Sequence, residues 1–342
     1  MSDKILQSIF EFTKNYIDPG SKTPFDQNNH NIQVVEKNGN VNLSLSITNQ
    51  YLDEYNKLAD LFKKELVKLD GILSINVALT SEKKIISSKK SESRFEINAT
   101  DIIAVASGKG GVGKSTFAVN LAVAMGKLGK KVGILDADIY GPSIPRMMGI
   151  SGRPEVNQNK KLIPLENYGI KCMSIGFLVG VDTPTIWRGP MVMKALEQMF
   201  NGVEWGQLDY LIIDLPPGTG DAQLTLAQSS KLSGSIIVST PQDVALTDAR
   251  KGINMFKKVN VPILGLVENM SYFICDNCNE KHFIFSNDGA KQEAEKFQIP
   301  FLGSLPIDKE LRIQSDEGRP APIDNPEGNI AKQYLEIAKS IF

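Results

Sequence analysis

The apolar positions of the first 80 residues switch between two periods. Ile5, Ile9, Phe12 and Tyr16 fall on one face of a helix, whereas Val41, Leu43, Leu45 and Ile47 alternate with polar residues as a half-buried strand does. Tyr51, Tyr55, Leu58, Phe62, Leu66 and Leu69 return to the helical period, and Leu73, Ile75, Val77 and Leu79 alternate again. The order helix, strand pair, helix, strand predicts a small α+β domain over residues 1–80, with its helices on one face. Across 81–93 Lys, Ser and Glu dominate and only Ile85 and Ile86 are apolar, so residues 81–99 are expected to form a flexible linker.

From residue 100 the pattern changes to near-continuous apolar runs, at 102–106, 132–135, 211–213, 236–238, 263–267 and 301–305. Helical spacing separates them, as at Ala118, Leu121, Ala122, Met125 and Leu128. Such runs predict buried parallel strands, so residues 100–342 read as an α/β domain, a mostly parallel sheet with helices on both faces. Ligands of these sheets bind at the carboxyl ends of the strands, where each motif below falls. The last stretch, 330–342, carries Ala331, Tyr334, Leu335, Ala338 and Ile341 at helical spacing, with Lys332 and Lys339 as its basic residues. It reads as a helix closing the core, not one lying on a membrane.

Residues 108–116, GKGGVGKST, follow the first run and precede the first helical stretch, the strand–loop–helix context of a phosphate-binding loop. Gly108, Gly110, Gly111 and Gly113 leave room for successive N–H groups to face phosphate oxygens at a helix N-terminus. The expected nucleotide-binding residues are these four with Lys109, Val112, Lys114, Ser115 and Thr116. Lys114 is expected to neutralise the β and γ phosphates and Ser115 to coordinate Mg²⁺, which makes ATP and Mg²⁺ the expected cofactors of an ATP hydrolase. Directly after 132–135 stand Asp136 and Asp138, in DADIYGPSIP. Asp136 suits the metal side and Asp138 the attacking water; a turn or helix cap is the plainer use of such aspartates. After 211–213 comes DLPPGTGD, in which Asp214 would hold Mg²⁺ through water, and Gly218 and Gly220 are free to move as a switch.

The loop with its extra lysine, Lys109, resembles the deviant Walker A class of MinD, ParA and nitrogenase iron protein. In that class the lysine reaches across a dimer to the partner's nucleotide. With DADIYGPSIP, WRGPM at 187–191, DLPPGTGD, STPQDVAL at 239–246 and ENMSYFICDNC at 268–278, the chain from 102 onward resembles the Mrp or ApbC family of iron–sulfur cluster carriers. The resemblance implies an ATP-dependent carrier whose homodimer holds a bridging [4Fe–4S] cluster and delivers it to apo iron–sulfur proteins, with cluster scaffold proteins as further partners. It also implies that Lys109, Lys114 and Asp138 act in hydrolysis, that Asn269 contacts the adenine and that residues 306–308 lie beside it. The first 80 residues, with Ile17-Asp18-Pro19-Gly20, resemble a degenerate MIP18-type domain. That domain's usual cysteine is replaced by Ile47-Thr48-Asn49-Gln50, which leaves a docking module without a metal ligand.

Cys275 and Cys278 form a CxxC pair, two of the four ligands that a [4Fe–4S] cluster or a tetrahedral zinc requires. A two-fold dimer would supply the other two. A redox dithiol is a competing reading, though the pair follows a strand and loop, not a helix N-terminus. Zinc is another, using two such pairs or adding His282 as a third ligand. Cys172, beside Lys171 and Met173, reads as a small buried hydrophobe. Three cysteines in 342 residues are too few for a disulfide framework and predict a cytoplasmic protein. With 38 basic and 39 acidic residues, no net basic field draws nucleic acid, and no apolar run approaches a membrane span. Two rivals remain: a positioning or partitioning ATPase of the MinD or ParA kind, with a structural zinc at the CxxC, and a metabolic phosphotransferase, which would leave the CxxC without a role.

Overall fold

The structure, a computed structural model, describes residues 2–26, 29, 31–37, 39–47, 51–80, 97–178 and 189–342. Trp187, Arg188, Thr48, Asn49, Gln50 and residues 81–96 of the expected linker lie outside them. The chain divides into two compact units, residues 1–90 and 91–342.

The first unit runs α1 (Ser2–Thr13), β1 (Ile32–Lys37), β2 (Asn40–Ser46), α2 (Leu52–Leu66) and β3 (Ser74–Thr80). β1 pairs antiparallel with β2, which pairs parallel with β3. The alternation in β2 puts Val41, Leu43 and Leu45 on one face, where they are buried with Ile9 of α1 and with Tyr55, Phe62 and Leu66 of α2. Asp18 anchors the segment after α1: its carboxylate accepts hydrogen bonds from the Gly20 N–H (2.9 Å), the Ser21 hydroxyl (2.7 Å) and the Tyr55 hydroxyl. Burial pushes its pKa up, but these bonds, Tyr55 first, outweigh it and hold the carboxyl below its ordinary value.

The second unit begins β4 (Ala99–Ala106), α3 (Lys114–Lys127), β5 (Val132–Asp136), α4 (Ile144–Met147), β6 (Leu165–Asn167) and β7 (Ile170–Ser174). It continues α5 (Gly189–Asn201), β8 (Leu208–Asp214), α6 (Asp221–Ser229), β9 (Gly234–Ser239), α7 (Asp243–Lys258) and β10 (Ile263–Glu268). A short hairpin, β11 (Phe273–Ile274) and β12 (Lys281–His282), precedes α8 (Gly289–Phe297), β13 (Phe301–Ser304), α9 (Lys309–Glu317), α10 (Ala321–Asp324) and α11 (Asn329–Lys339). The main sheet has the order β13-β10-β9-β4-β8-β5-β7-β6. β6 pairs antiparallel with β7, and the other seven strands are parallel. From β4 the chain reaches β5 in one direction and β9 and β10 in the other, so the sheet reverses at β4, where such folds bind ligands.

The six apolar runs became β4, β5, β8, β9, β10 and β13. The β6–β7 pair was not expected, because Lys171 interrupts its apolar pattern. Lys171 is accommodated by donating to the Trp205 carbonyl at 2.7 Å. Cys172 lies opposite Ile134 of β5, wholly buried, and burial raises its thiol pKa well above the usual range. α11 closes the core as expected: Tyr334, Ile337 and Ala338 are buried, and Tyr334 packs on Phe117 of α3 with ring centroids 5.8 Å apart. Each such large apolar side chain contributes about 1.5–3 kcal/mol. Among the described residues no helix is long and apolar enough to cross a membrane.

Candidate functional site

The loop between β4 and α3 is shaped by what lies behind it. A Cβ on Gly108 would stand 2.2 Å from the backbone carbonyl carbon of Asp248 in α7, so only glycine fits there. Gly111 and Gly113 have φ of +79° and +83°, the left-handed region that glycine enters without strain. A Cβ on Gly113 would also meet Asn269 Nδ2 at 2.2 Å. Asn269 is buried; its Nδ2 donates to the Val112 carbonyl (2.8 Å) and its N–H to the Ser239 carbonyl (2.7 Å). Asn269 therefore braces the loop from behind. The Ser107 hydroxyl donates to the Lys109 carbonyl at 2.9 Å, and the Lys109 side chain makes no ion pair among the described residues. A cavity of about 200 Å³ opens here, lined by Lys109, Gly110, Gly111, Lys114, Thr116 and Asp138 among others.

The floor of that cavity is charged. β5 and β8 pair so that Asp136 and Asp214 lie directly opposite each other at their carboxyl ends. Lys114 Nζ sits 2.6 Å from Asp214 Oδ1 and 3.8 Å from Asp138 Oδ2, and donates to the Ser115 hydroxyl at 3.4 Å. Asp136 Oδ1 accepts from the Asp138 N–H (3.2 Å), and its Oδ2 accepts from the Ile144 N–H (3.2 Å) and the Ser174 hydroxyl (3.0 Å). Burial, with the charge of Asp214 second, pushes the Asp136 pKa up to about 7. Burial also raises Asp138, with Asp214 adding to the rise and Lys114 opposing it. Asp214 Oδ2 is buried without a hydrogen-bond partner among the described residues. An orphaned carboxylate oxygen in a cluster with two other carboxylates fits a hydrated Mg²⁺, whose waters would satisfy it.

Sequence reasoning missed Ser174 and the Ile144 N–H, the two groups that fix Asp136. Ser174 lies opposite Asp136 in the register of β7 against β5, and recognising β7 would have pointed to it.

The cysteines stand at the end of another strand. Glu268 closes β10, and its carboxylate accepts from the Ser271 hydroxyl (2.5 Å) and the Ala290 N–H (2.7 Å), which fixes the turn into the hairpin. Phe273 pairs with His282 and Ile274 with Lys281; then Cys275 donates its N–H to the Glu280 carbonyl at 3.0 Å. Cys278 follows in the turn. Hydrogen bonds from the N–H groups of Cys278 and Asn277 and with the Cys278 side chain lower the Cys275 thiol pKa, against the opposing effects of burial and of the Asp276 charge. The sulfurs of Cys275 and Cys278 and a ring nitrogen of His282 lie within 4.8 Å of one another. Nearby, a cavity of about 920 Å³ is lined both by Phe273, Ile274 and Asp276 and by Pro306, Ile307 and Asp308.

A glycine loop at the reversal point of a mostly parallel sheet, with a lysine over two in-register aspartates, defines a nucleotide-binding P-loop NTPase. Within that class, residues 98–342 match the family described as ParA, NUBPL iron-transfer P-loop NTPase, and the chain belongs to it. An Arabidopsis thaliana protein named "Iron-sulfur protein required for NADH dehydrogenase, mitochondrial" is 58% identical over 70% of this chain and 77% of its own length. An Aquifex aeolicus "Iron-sulfur cluster carrier protein" is 54% identical over 70% of this chain and 66% of its own. Among solved structures, a nucleotide-binding protein from Archaeoglobus fulgidus in complex with ADP, with cobalt found in it, is 44% identical. It covers 68% of this chain and 90% of its own, with a TM-score of 0.60.

Proposed function

We propose that the chain is an ATP-dependent iron–sulfur cluster carrier: two copies hold a [4Fe–4S] cluster through Cys275 and Cys278 of each and deliver it to apo iron–sulfur proteins. The observation that carries this reading is the link between its two sites. Asn269, which donates to the Val112 carbonyl of the phosphate loop, precedes Cys275 by six residues in one continuous segment. A change in the loop therefore has a short mechanical route to the cysteines. One cavity also joins the hairpin to residues 306–308, the segment expected beside the base.

In this reading phosphate oxygens compete with Asp214 for the Lys114 ammonium. Mg²⁺ would supply charge neutralisation at the phosphates, held by the Ser115 hydroxyl and, through its waters, by Asp136 and Asp214. Asp138, with its pKa raised, orients the attacking water and accepts its proton. Lys109 would reach the nucleotide of the second copy. In the same reading Asn269 would contact the adenine as well as brace the loop. The cluster is cargo; each copy supplies two thiolates, and exposure of Cys278 leaves room for a recipient to approach. Cluster scaffold proteins would load it, and residues 1–80 would form a docking module joined through a linker at 81–99. We place the protein in the cytoplasm, with neither nucleic acid nor membrane as a partner. A positioning switch of the MinD kind would use an amphipathic helix free to meet a membrane, whereas the apolar face of α11 is buried against α3.

The test is anaerobic reconstitution with iron and sulfide of wild type and of the Cys275→Ala/Cys278→Ala variant, with metal and sulfide analysis and mass by light scattering. About four irons and four sulfides per dimer, absent from the variant, are expected. Iron and sulfide loading that ignores the cysteines would sink the reading.

A further inference from the structure

We propose that a single chain is itself a metal site: Cys275, Cys278 and His282 are three ligands of one divalent d-block ion, with the fourth position open to a donor from outside the chain. This goes beyond the bridged cluster, which draws only two donors from each copy and leaves the histidine without a part.

The hairpin places the third donor. In an antiparallel pair, directly opposed residues project from the same face, and so do residues two apart on one strand. His282 lies opposite Phe273, and Cys275 is two residues past Phe273, so His282 and Cys275 are diagonal neighbours on one face. Lys281, opposite Ile274, falls on the other face. Its ammonium lies 3.6 Å from the Tyr272 ring centroid and 5.3 Å from that of Phe283, so this cation is engaged with the two rings. The turn after Cys275, held by the Cys275 N–H to Glu280 carbonyl and Asn279 N–H to Cys275 carbonyl bonds (3.0 and 2.9 Å), returns Cys278 to the same spot. All three donor atoms lie within 4.8 Å of one another. Tetrahedral bonds of about 2.3 Å to sulfur and 2.0–2.1 Å to nitrogen put donors roughly 3.6 Å apart, so side-chain rotation of about 1 Å closes the site.

Chemistry and exposure narrow the occupant. Two thiolates and an imidazole favour Zn²⁺ or Co²⁺ and are wrong for Mg²⁺ or Ca²⁺, which take oxygen. Structural zinc sites are closed by four protein ligands, whereas three leave a position for an incoming donor. Here Cys278 and His282 are exposed and Cys275 is half-buried, so a thiolate from another molecule can reach the ion directly. The ion is held for exchange, not to stabilise the fold.

Co²⁺ alone tests the site, because thiolate-to-cobalt charge-transfer bands and ligand-field bands report the donor set. The full-length reduced protein would be titrated anaerobically, without nucleotide, iron or sulfide, while its mass is followed by light scattering. One Co²⁺ per chain on single copies is expected. His282→Ala should shift the ligand-field bands and weaken binding by at least the roughly 10-fold that losing even a ligand's supporting partner costs. His282→Cys should restore tight one-per-chain binding with added charge-transfer intensity. One Co²⁺ per two chains, with spectrum and affinity indifferent to His282, would overturn the proposal. The iron and sulfide counts that decide the cluster reading do not enter this titration, so either idea can fail without the other.

Discussion

Lys114, Asp136 and Asp214 are at most 6% exposed, whereas Cys278 and His282 are exposed and Cys275 is half-buried. The first three are placed by a sheet register, by α7 packed on Gly108, and by Asn269 packed on Gly113. The donors of the hairpin are placed by two-residue strands and one turn. Nucleotide chemistry needs charges held in a dry site before the ligand arrives, because a low dielectric strengthens them and preorganisation avoids reorientation. Cargo transfer needs donors that another molecule can reach. The two ends of the segment from Asn269 to Cys275 thus belong to regions of opposite construction, and substitutions should separate them.

The largest effect is expected from Lys114→Ala. It leaves Asp214 buried and uncompensated beside Asp136, and breaking a buried pair from one side costs about 3–5 kcal/mol. Urea unfolding at pH 8 with a chelator present should show that loss, and nucleotide binding should fall with it. A loss below about 1 kcal/mol would mean that the pair behaves as a surface contact and that the contrast between the regions is overstated.

Next comes the pH dependence of the floor. In the unfolded chain Asp136 titrates at its ordinary 3.8, and in the folded protein at about 7. Between those values the folded state holds a proton that the unfolded state has lost. The contribution is therefore fully present below pH 3.8 and is lost as pH rises through about 7. Asp136→Asn should flatten this slope, with a difference from wild type of about 2–4 kcal/mol between pH 4 and pH 8 in chelator. Identical slopes for the two proteins would show that Asp136 does not carry it.

Glycine substitutions give a finer contrast within one loop. Gly108→Ala drives a Cβ into the backbone of α7 and should cost about 1–3 kcal/mol, with nucleotide affinity reduced by on the order of 100-fold through displacement of the loop. Gly110 has no neighbour within 4 Å of a Cβ, so Gly110→Ala should leave thermal unfolding where it was. Equal effects at the two positions would remove the packing explanation.

How much of this was legible follows from the same contrast. Six of the eight strands of the main sheet were readable because burial on both faces makes continuous apolar runs, and the loop was readable because Gly108 and Gly113 are required by close approach. β6 and β7 were not, since Lys171 breaks the pattern and its partner is a distant backbone carbonyl. Ser174 was missed with them. Asn269 was expected, from the resemblance, only as a base contact; its bond to the Val112 carbonyl joins residues 157 apart in sequence, which no local pattern encodes. The CxxC was plain in the sequence, while the approach of His282 depends on the register of a two-residue strand pair.

Asn269 tests the join between the regions. Asn269→Ala removes one hydrogen bond to a buried carbonyl, a loss of about 1 kcal/mol, yet it unties the loop from the segment leading to Cys275. Cluster loading should survive, while acceleration of cluster transfer by ATP should disappear. Unchanged acceleration would assign the coupling to another route, with the cavity shared by the hairpin and residues 306–308 the next to examine.

The smallest effect on stability belongs to the cysteines. Cys275→Ala/Cys278→Ala removes one half-buried and one exposed thiol, neither of them in the hydrophobic core, and substitutions of that kind fall within about 0.5 kcal/mol of wild type. Urea midpoints and slopes for the metal-free proteins should coincide, and nucleotide binding should be unchanged, although on the proposed reading the variant would carry no cluster. A loss of more than about 1 kcal/mol in the metal-free protein would mean that the hairpin is part of the folded core's support. The opposition drawn between a packed nucleotide floor and a donor set left open for exchange would then be wrong, and a structural role for the pair would take its place.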